Sequence, residues 1–150
     1  MKNKLSITFK QPNHGWLPLV LTYGDFKLSI EVSDVPVSPM KLLCNTLIQI
    51  CEGIKNPDKV LLNLEPYQYF LDFIYINGLY KLIISEKSDQ ESNERITKEI
   101  VGDFDSLILP FYRFLENFTS EKYSFPHWEE LNAKRIEKLS QVVKSIKQKA

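Results

Sequence analysis

In the segment 16–33, large apolar residues occupy every second position on both sides of a Gly24-Asp25 dipeptide. If this dipeptide is a two-residue turn, the residues facing each other on one side of the hairpin are all apolar. The pairs are Tyr23 with Phe26, Leu21 with Leu28, Leu19 with Ile30, and Leu17 with Val32. An antiparallel sheet with one face on a core and the other toward water has this pattern. The segment therefore predicts a β-hairpin.

A second hairpin is predicted around Asn77-Gly78, because Asn-Gly is the strongest short-range signal for a two-residue hairpin turn. The implied pairs are Ile76 with Leu79, Tyr75 with Tyr80, Phe73 with Leu82, and Leu71 with Ile84. That face is apolar. The opposite face is partly polar, since it includes Asp72 and Lys81.

The remaining elements follow from local signals. Ser38-Pro39 starts a helix that Gly53 ends. Glu65-Pro66 interrupts a strand over 59–65, because proline cannot donate to a ladder, and we expect a bulge or a short turn there.

Beyond the second hairpin we expect a polar loop, another strand and two helices. The loop is predicted over 87–94 and the strand over 95–101. The first of the two helices has Asp105 as its N-cap and starts or bends at Pro110, and the last helix runs over 128–146 and is broken near Asn132. Ahead of both hairpins, a first strand is predicted over 5–9. The order βββ-α-ββββ-αα predicts one α+β domain over residues 1–150. In it, an antiparallel β-sheet built from hairpins carries amphipathic helices packed on one face.

Composition argues against several classes of partner. The net charge is zero, so no global field draws the chain to nucleic acid or to a membrane. The N-terminal segment has no continuous apolar run like that of a signal peptide, and we expect a cytoplasmic protein. Cys44 and Cys51 lie about 10.5 Å apart along a helix axis, too far for a mutual disulfide, and read as reduced core residues.

Motifs for catalysis are missing from the sequence. No nucleophile elbow or phosphate-binding glycine loop is present, and His14 and His127 lack ligand partners at metal-binding spacing. We therefore expect no metal site and no cofactor. A carboxylate pair around Glu65 and Asp34, in a cleft beside the sheet, is the enzyme hypothesis that stays open.

Several short segments together carry a resemblance. These are WLPL at 16–19 before the Gly-Asp turn, VSDV at 32–35, EPYQY at 65–69, FYRFL at 111–115 and YSFP at 123–126. The chain resembles small cytoplasmic α+β immunity proteins of bacterial polymorphic toxin systems, including contact-dependent growth inhibition systems. The resemblance implies a non-enzymatic protein that binds and blocks one cognate toxin domain, often a nuclease. It assigns no functional residue, because the contact surface differs from pair to pair.

An inhibitor of a nuclease needs an acidic patch, because nuclease clefts are basic. Ordinary turn and surface roles also account for each candidate taken alone. The candidate partner-binding residues are the acidic Asp34, Glu65, Asp103, Asp89, Glu91 and Glu94, with Trp16 and Tyr67 as aromatic anchors.

A third hypothesis is an oligomeric scaffold. An exposed edge strand over 5–9, or the partly apolar outer face of the second hairpin, offers a surface on which two copies could pair. Direct contact with nucleic acid or with a membrane is not expected in any of the three hypotheses.

Overall fold

The hairpin around Gly24-Asp25 has the predicted register in the computed structural model, which describes residues 4–88, 90, 92–120 and 132–149. Strand β2 (Trp16–Tyr23) pairs antiparallel with β3 (Phe26–Ser33), and all four predicted apolar pairs are present. Strand β1 (Ser6–Phe9) pairs with the other edge of β2. The three strands form one sheet in the order β1-β2-β3.

The second hairpin belongs to a separate four-stranded sheet. Its strands are β4 (Val60–Asn63), β5 (Gln68–Ile76), β6 (Leu79–Lys87) and β7 (Arg95–Gly102), all antiparallel and in sequence order. The four predicted pairs around Asn77-Gly78 are confirmed. The α+β class is therefore confirmed, with the strands divided between two sheets.

Helix α1 (Pro39–Cys51) connects the two sheets and begins and ends where the sequence predicts. Pro39 is its first residue, and the carbonyl of Ser38 accepts the first helical hydrogen bond, from Leu42 N–H at 3.2 Å. The Ser38 hydroxyl itself caps no backbone N–H. Gly53 follows the helix with φ of 99°, the left-handed conformation that glycine adopts without a Cβ clash.

The helical region after β7 begins earlier than predicted. A π-helical turn (Phe104–Ile108) leads directly into α2 (Leu109–Ser120), so Pro110 lies in the first turn of α2. The prediction of Asp105 as N-cap is wrong. Asp103 is the N-cap, and its Oδ1 accepts a hydrogen bond from Ser106 N–H at 2.9 Å. The cap moves by two residues because the π-helical turn extends the helix toward the end of β7.

The last helix, α3 (Ala133–Lys149), begins where the sequence predicts a break. Asn132 Oδ1 accepts a hydrogen bond from Lys134 N–H at 2.8 Å, as an N-cap side chain does. The part of the prediction from Trp128 to residue 131, like His127, lies outside the described residues. The predicted polar loop begins one residue later, because β6 extends through Lys87.

An aromatic face of α2 joins both sheets in the core. Phe111 on α2 packs edge to face against Phe73 on β5, with ring centroids 5.1 Å apart, and both rings are buried. Phe9 on β1 contacts Phe114 and Phe118 on α2, with centroid distances of 5.5 and 5.4 Å. Helix α2 therefore contacts both sheets within one core.

We expect Phe111→Ala to lower the free energy of unfolding by about 3–5 kcal/mol, because it removes a buried ring and leaves a cavity between α2 and β5. Urea denaturation followed by circular dichroism measures this loss. Val101→Ala is the control, because Val101 is 52% exposed and its truncation should change stability by less than about 0.5 kcal/mol. Equal effects of the two substitutions would contradict the role given to α2.

Candidate interaction surface

The two sheets meet where the chain leaves β3. The backbone N–H of Asp34 donates to Gly15 O at 3.0 Å, and the N–H of Val35 donates to Ser33 Oγ at 3.2 Å. The carbonyl of Val35 then accepts a hydrogen bond from Asn63 Nδ2 at 3.0 Å. This last bond connects the chain leaving the three-stranded sheet to the end of β4 in the four-stranded sheet.

Asn63 also organises the turn that follows β4. Its Oδ1 accepts a hydrogen bond from Glu65 N–H at 3.1 Å, and Leu64 N–H donates to Tyr67 O at 2.7 Å. The predicted short turn at Glu65-Pro66 is therefore confirmed, and it lies beside the segment that carries Asp34. Asp34 and Glu65, which are far apart in the sequence, therefore lie at the same end of the molecule.

We call this end the junction surface. Val35 and Val37 are 49% and 45% exposed. They follow Asp34 in the chain, and the hydrogen bonds of Asn63 to Val35 and to Glu65 bring the turn after β4 beside them. The junction surface consists of Trp16, Asp34, Val35, Val37, Glu65 and Tyr67.

Glu65 has a backbone conformation that disfavours its residue type. Its φ is 47°, in the left-handed region, where a non-glycine residue costs roughly 1–2 kcal/mol. Asn77 also has a positive φ, but it lies in an Asn-Gly turn where that conformation is favoured. His14, with φ of 49°, lies next to Gly15 at the junction. Strained backbone conformations of this kind cluster at functional sites.

The two carboxylates of the junction surface have no counter-ion. Within the described part of the chain, neither Asp34 nor Glu65 makes an ion pair or a side-chain hydrogen bond. The Asp34 carboxylate lies close over Gly15, where an added Cβ would be 2.9 Å from Asp34 Oδ1. Both negative charges are therefore available to a partner.

Tyr67 is held in place by a carboxylate on β6. Its hydroxyl donates to Glu86 Oε1 at 2.6 Å, and its ring lies edge-on to Tyr69 with centroids 5.5 Å apart. Glu86 also accepts hydrogen bonds from Thr97 Oγ1 at 2.7 Å and from Arg95 Nη2 at 3.1 Å. These hydrogen bonds, with that from Tyr67 the strongest, lower the pKa of Glu86. The same bond raises the pKa of Tyr67.

The other candidate residues are placed differently. Glu94 lies near the same end of the four-stranded sheet, but Lys59 Nζ at 2.9 Å and Ser85 Oγ at 3.1 Å occupy its carboxylate. The bond from Lys59 lowers the pKa of Glu94. Asp103 caps the π-helical turn at the opposite end of β7, about 25 Å away along an eight-residue strand. Asp89 and Glu91 lie outside the described residues.

Three cavities lie away from the predicted carboxylate pair. One is an apolar void of about 20 Å³ in the core, one is a shallow groove on the three-stranded sheet, and one is a cleft beside the second hairpin turn. None of the three is lined by Asp34 or Glu65. Among residues 4–88, 90, 92–120 and 132–149, no three His, Cys, Asp or Glu side chains group as metal ligands.

Both cysteines are free thiols on α1. Burial raises the pKa of Cys44 to about 11 and that of Cys51 to about 12. The thiolate is the nucleophilic form, so at neutral pH both side chains are protonated and unreactive. This agrees with their prediction as reduced core residues.

Comparisons of the chain with protein-family models, with curated proteins and with solved structures found no match. None of the helices in the described ranges is long and apolar enough to cross a bilayer.

Sequence reasoning missed several members of this surface. It gave no role to Val35 and Val37, whose exposure is visible only in the fold. Nothing in the sequence indicated that Asn63 would bond to Val35, or that Glu86 would hold Tyr67, because both contacts depend on tertiary structure.

We expect Glu86→Gln to destabilise the protein at neutral pH by about 1 kcal/mol, because a partly buried network loses the charge and one acceptor oxygen of the carboxylate. The folded state lowers the pKa of Glu86, so its contribution is present above the ordinary carboxyl value and is lost as the pH falls through the folded value. The stability gap between the two proteins should therefore shrink as the pH falls below the ordinary carboxyl value. Urea titrations at several pH values measure the gap. A gap that does not change with pH, or an equal effect of Glu31→Gln, would contradict this role.

We expect Glu65→Gly to leave stability unchanged or to raise it by up to about 1 kcal/mol, because glycine adopts a positive φ freely. Glu137→Gly is the matched control, since Glu137 is exposed in the regular helix α3 and glycine there should cost about 1 kcal/mol. Thermal denaturation of both variants measures the contrast. A loss at position 65 as large as that at position 137 would show that Glu65 carries no backbone strain.

Proposed function

We propose that this protein binds another protein through the junction surface and acts without catalysis, as an immunity-type inhibitor of a toxin domain. The observation that carries the proposal is the combination at this one end of exposed apolar side chains, carboxylates that form no ion pair with any described residue, and a strained Glu65. The positive φ of Glu65 costs stability, the exposed apolar side chains cost solubility, and the carboxylates supply charge that a partner can recognise.

The chemistry of the surface fits a protein interface. Val35 and Val37 supply an exposed apolar patch, and Trp16 and Tyr67 supply the aromatic side chains that often dominate binding energy. Polar and charged groups around an apolar centre form the usual arrangement of an interface. The surface is also preformed, because hydrogen bonds through Asn63 fix the chain segments on both sides. Such preorganisation lowers the entropy cost of association.

The charge of the surface indicates the class of partner. Asp34 and Glu65 present two negative charges that the described residues do not neutralise. Complementary charge steers encounter and gives specificity, so the partner face should be basic. A nuclease domain, whose cleft binds phosphates, has such a face. The resemblance to toxin immunity proteins supports the same class.

The first test is the isolation of the partner. The full chain, tagged and expressed in its native host with neighbouring reading frames intact, should co-purify with one protein in stoichiometric amount. That protein should be toxic when expressed alone and harmless together with this chain. A chain that elutes alone, or that only self-associates in sedimentation at increasing concentration, would contradict the proposal.

We expect Glu65→Lys to weaken the complex at least about tenfold in Kd, because it replaces an attractive charge by a repulsive one at the interface. Isothermal titration calorimetry with the isolated partner measures the change. Glu137→Lys makes the same change of charge on the exposed face of α3 and should leave Kd within about twofold. Equal losses in the two variants would place the interface away from the junction surface.

A further inference from the structure

A cleft of about 300 Å³ lies at the other end of the four-stranded sheet from the junction surface. It is bounded by the second hairpin turn, the π-helical turn and the last turn of α3. Its lining includes three aromatic residues, two carboxylates and one lysine: Tyr75, Tyr80, Phe104, Asp103, Asp105 and Lys147. A volume of this size is at the lower end of the range of small-ligand sites.

The hydroxyl of Tyr80, a lining residue of this cleft, has no hydrogen-bond partner among the described residues. The side chain is only 8% exposed, and within the described ranges no group makes a hydrogen bond with its hydroxyl. Burial raises the pKa of Tyr80 to about 12, so the group stays neutral and offers both a donor and two acceptor lone pairs. Buried polar groups in folded proteins almost always have a partner, so one without a partner calls for an explanation.

The aromatic rings around Tyr80 form one wall. The Tyr75 and Tyr80 ring centroids are 5.0 Å apart, and those of Tyr80 and Phe104 are 6.0 Å apart, with both pairs tilted. Faces of aromatic rings carry negative partial charge and attract cations. Tyr75 and Phe104, which are partly exposed, therefore offer aromatic surface on which a flat cationic group can stack.

The charged groups of the cleft favour a cation as well. Asp105 is exposed and forms no ion pair with any described residue, while Asp103 accepts the Ser106 N–H at 2.9 Å. Lys147 opposes a cation, but it is exposed and its long stem lets the ammonium group stay in water. The last turn of α3, which carries Lys147, ends with the partial negative charge of a helix C-terminus.

We propose that this cleft binds a guanidinium group. Guanidinium is planar and stacks on aromatic faces, and its five N–H donors suit a carboxylate together with a neutral hydroxyl acceptor. An anion would face two carboxylates, and a compact ammonium would stack poorly. The site is independent of the junction surface, so it holds or fails separately from the proposed inhibitor function.

The test is an NMR titration of the full-length protein with acetyl-arginine amide. We expect amide signals of Gly78 and Asp105 to shift with a Kd of about 1 mM, and that of Gly24 in the other hairpin turn to stay fixed. Acetyl-citrulline amide has nearly the same shape without the charge and should bind at least about tenfold more weakly. The natural guanidinium group could belong to a small molecule or to an arginine side chain of a protein. Agmatine, a small guanidinium compound, distinguishes these two sources. Tighter binding of agmatine indicates a small-molecule ligand, and tighter binding of the capped arginine indicates a protein side chain.

Two variants test the named groups. Tyr80→Phe removes only the hydroxyl, so it should weaken arginine-amide binding about fivefold while the melting temperature stays equal or rises. Asp105→Asn should also weaken binding about fivefold. Tyr69→Phe and Asp25→Asn are the matched controls at distant sites and should leave Kd unchanged. Equal binding of the citrulline probe, no shifts up to about 20 mM arginine amide, or unchanged Kd in both cleft variants would each overturn the proposal.

Discussion

The contact of one helix with two sheets is the constraint on which the rest of the molecule depends. Phe111 of α2 packs on Phe73 of the four-stranded sheet, while Phe114 and Phe118 pack on Phe9 of the three-stranded sheet. Each sheet alone would leave an apolar face in water. Helix α2 packs against both sheets, and the end of β3 lies against the end of β4, where the junction surface forms.

A single polar side chain gives the junction its definite geometry. The amide nitrogen of Asn63 donates a hydrogen bond to the carbonyl of Val35, and its amide oxygen accepts one from the backbone N–H of Glu65. Apolar packing is not directional and tolerates small sliding of one sheet on the other, whereas two hydrogen bonds from one side chain define position and orientation. They also hold Glu65 in a conformation that the isolated turn would not favour. Stability contributed by the core is thus used to fix an exposed, charged surface.

The parts of the structure that the sequence predicts are those governed by neighbouring residues. Gly24-Asp25 and Asn77-Gly78 determine the register of both hairpins, and Ser38-Pro39 determines the start of α1. The division into two sheets was not predictable, because no local pattern says which hairpins pair with each other. The sequence suggested individual candidate residues but not that they would lie together. Their proximity depends on the hydrogen bond between Asn63 and Val35, which are 28 positions apart in the chain. The N-cap was predicted at Asp105 and lies at Asp103, because a π-helical turn has no simple periodic signal in the sequence and was therefore not predicted.

The zero net charge of the chain conceals a separation of charge within the fold. Helix α3 carries six basic side chains and one acidic one, and Arg135 attaches it to α1 through Asn45 Oδ1 at 2.6 Å. The junction surface, by contrast, presents two carboxylates that form no ion pair within the described part of the chain. A neutral protein with such a distribution has a local field at each face even though it has none at long range. A basic partner would therefore be oriented only once it is within about a Debye length of the acidic end, roughly 8–10 Å in physiological salt. Specific recognition of a charged partner does not require a charged protein.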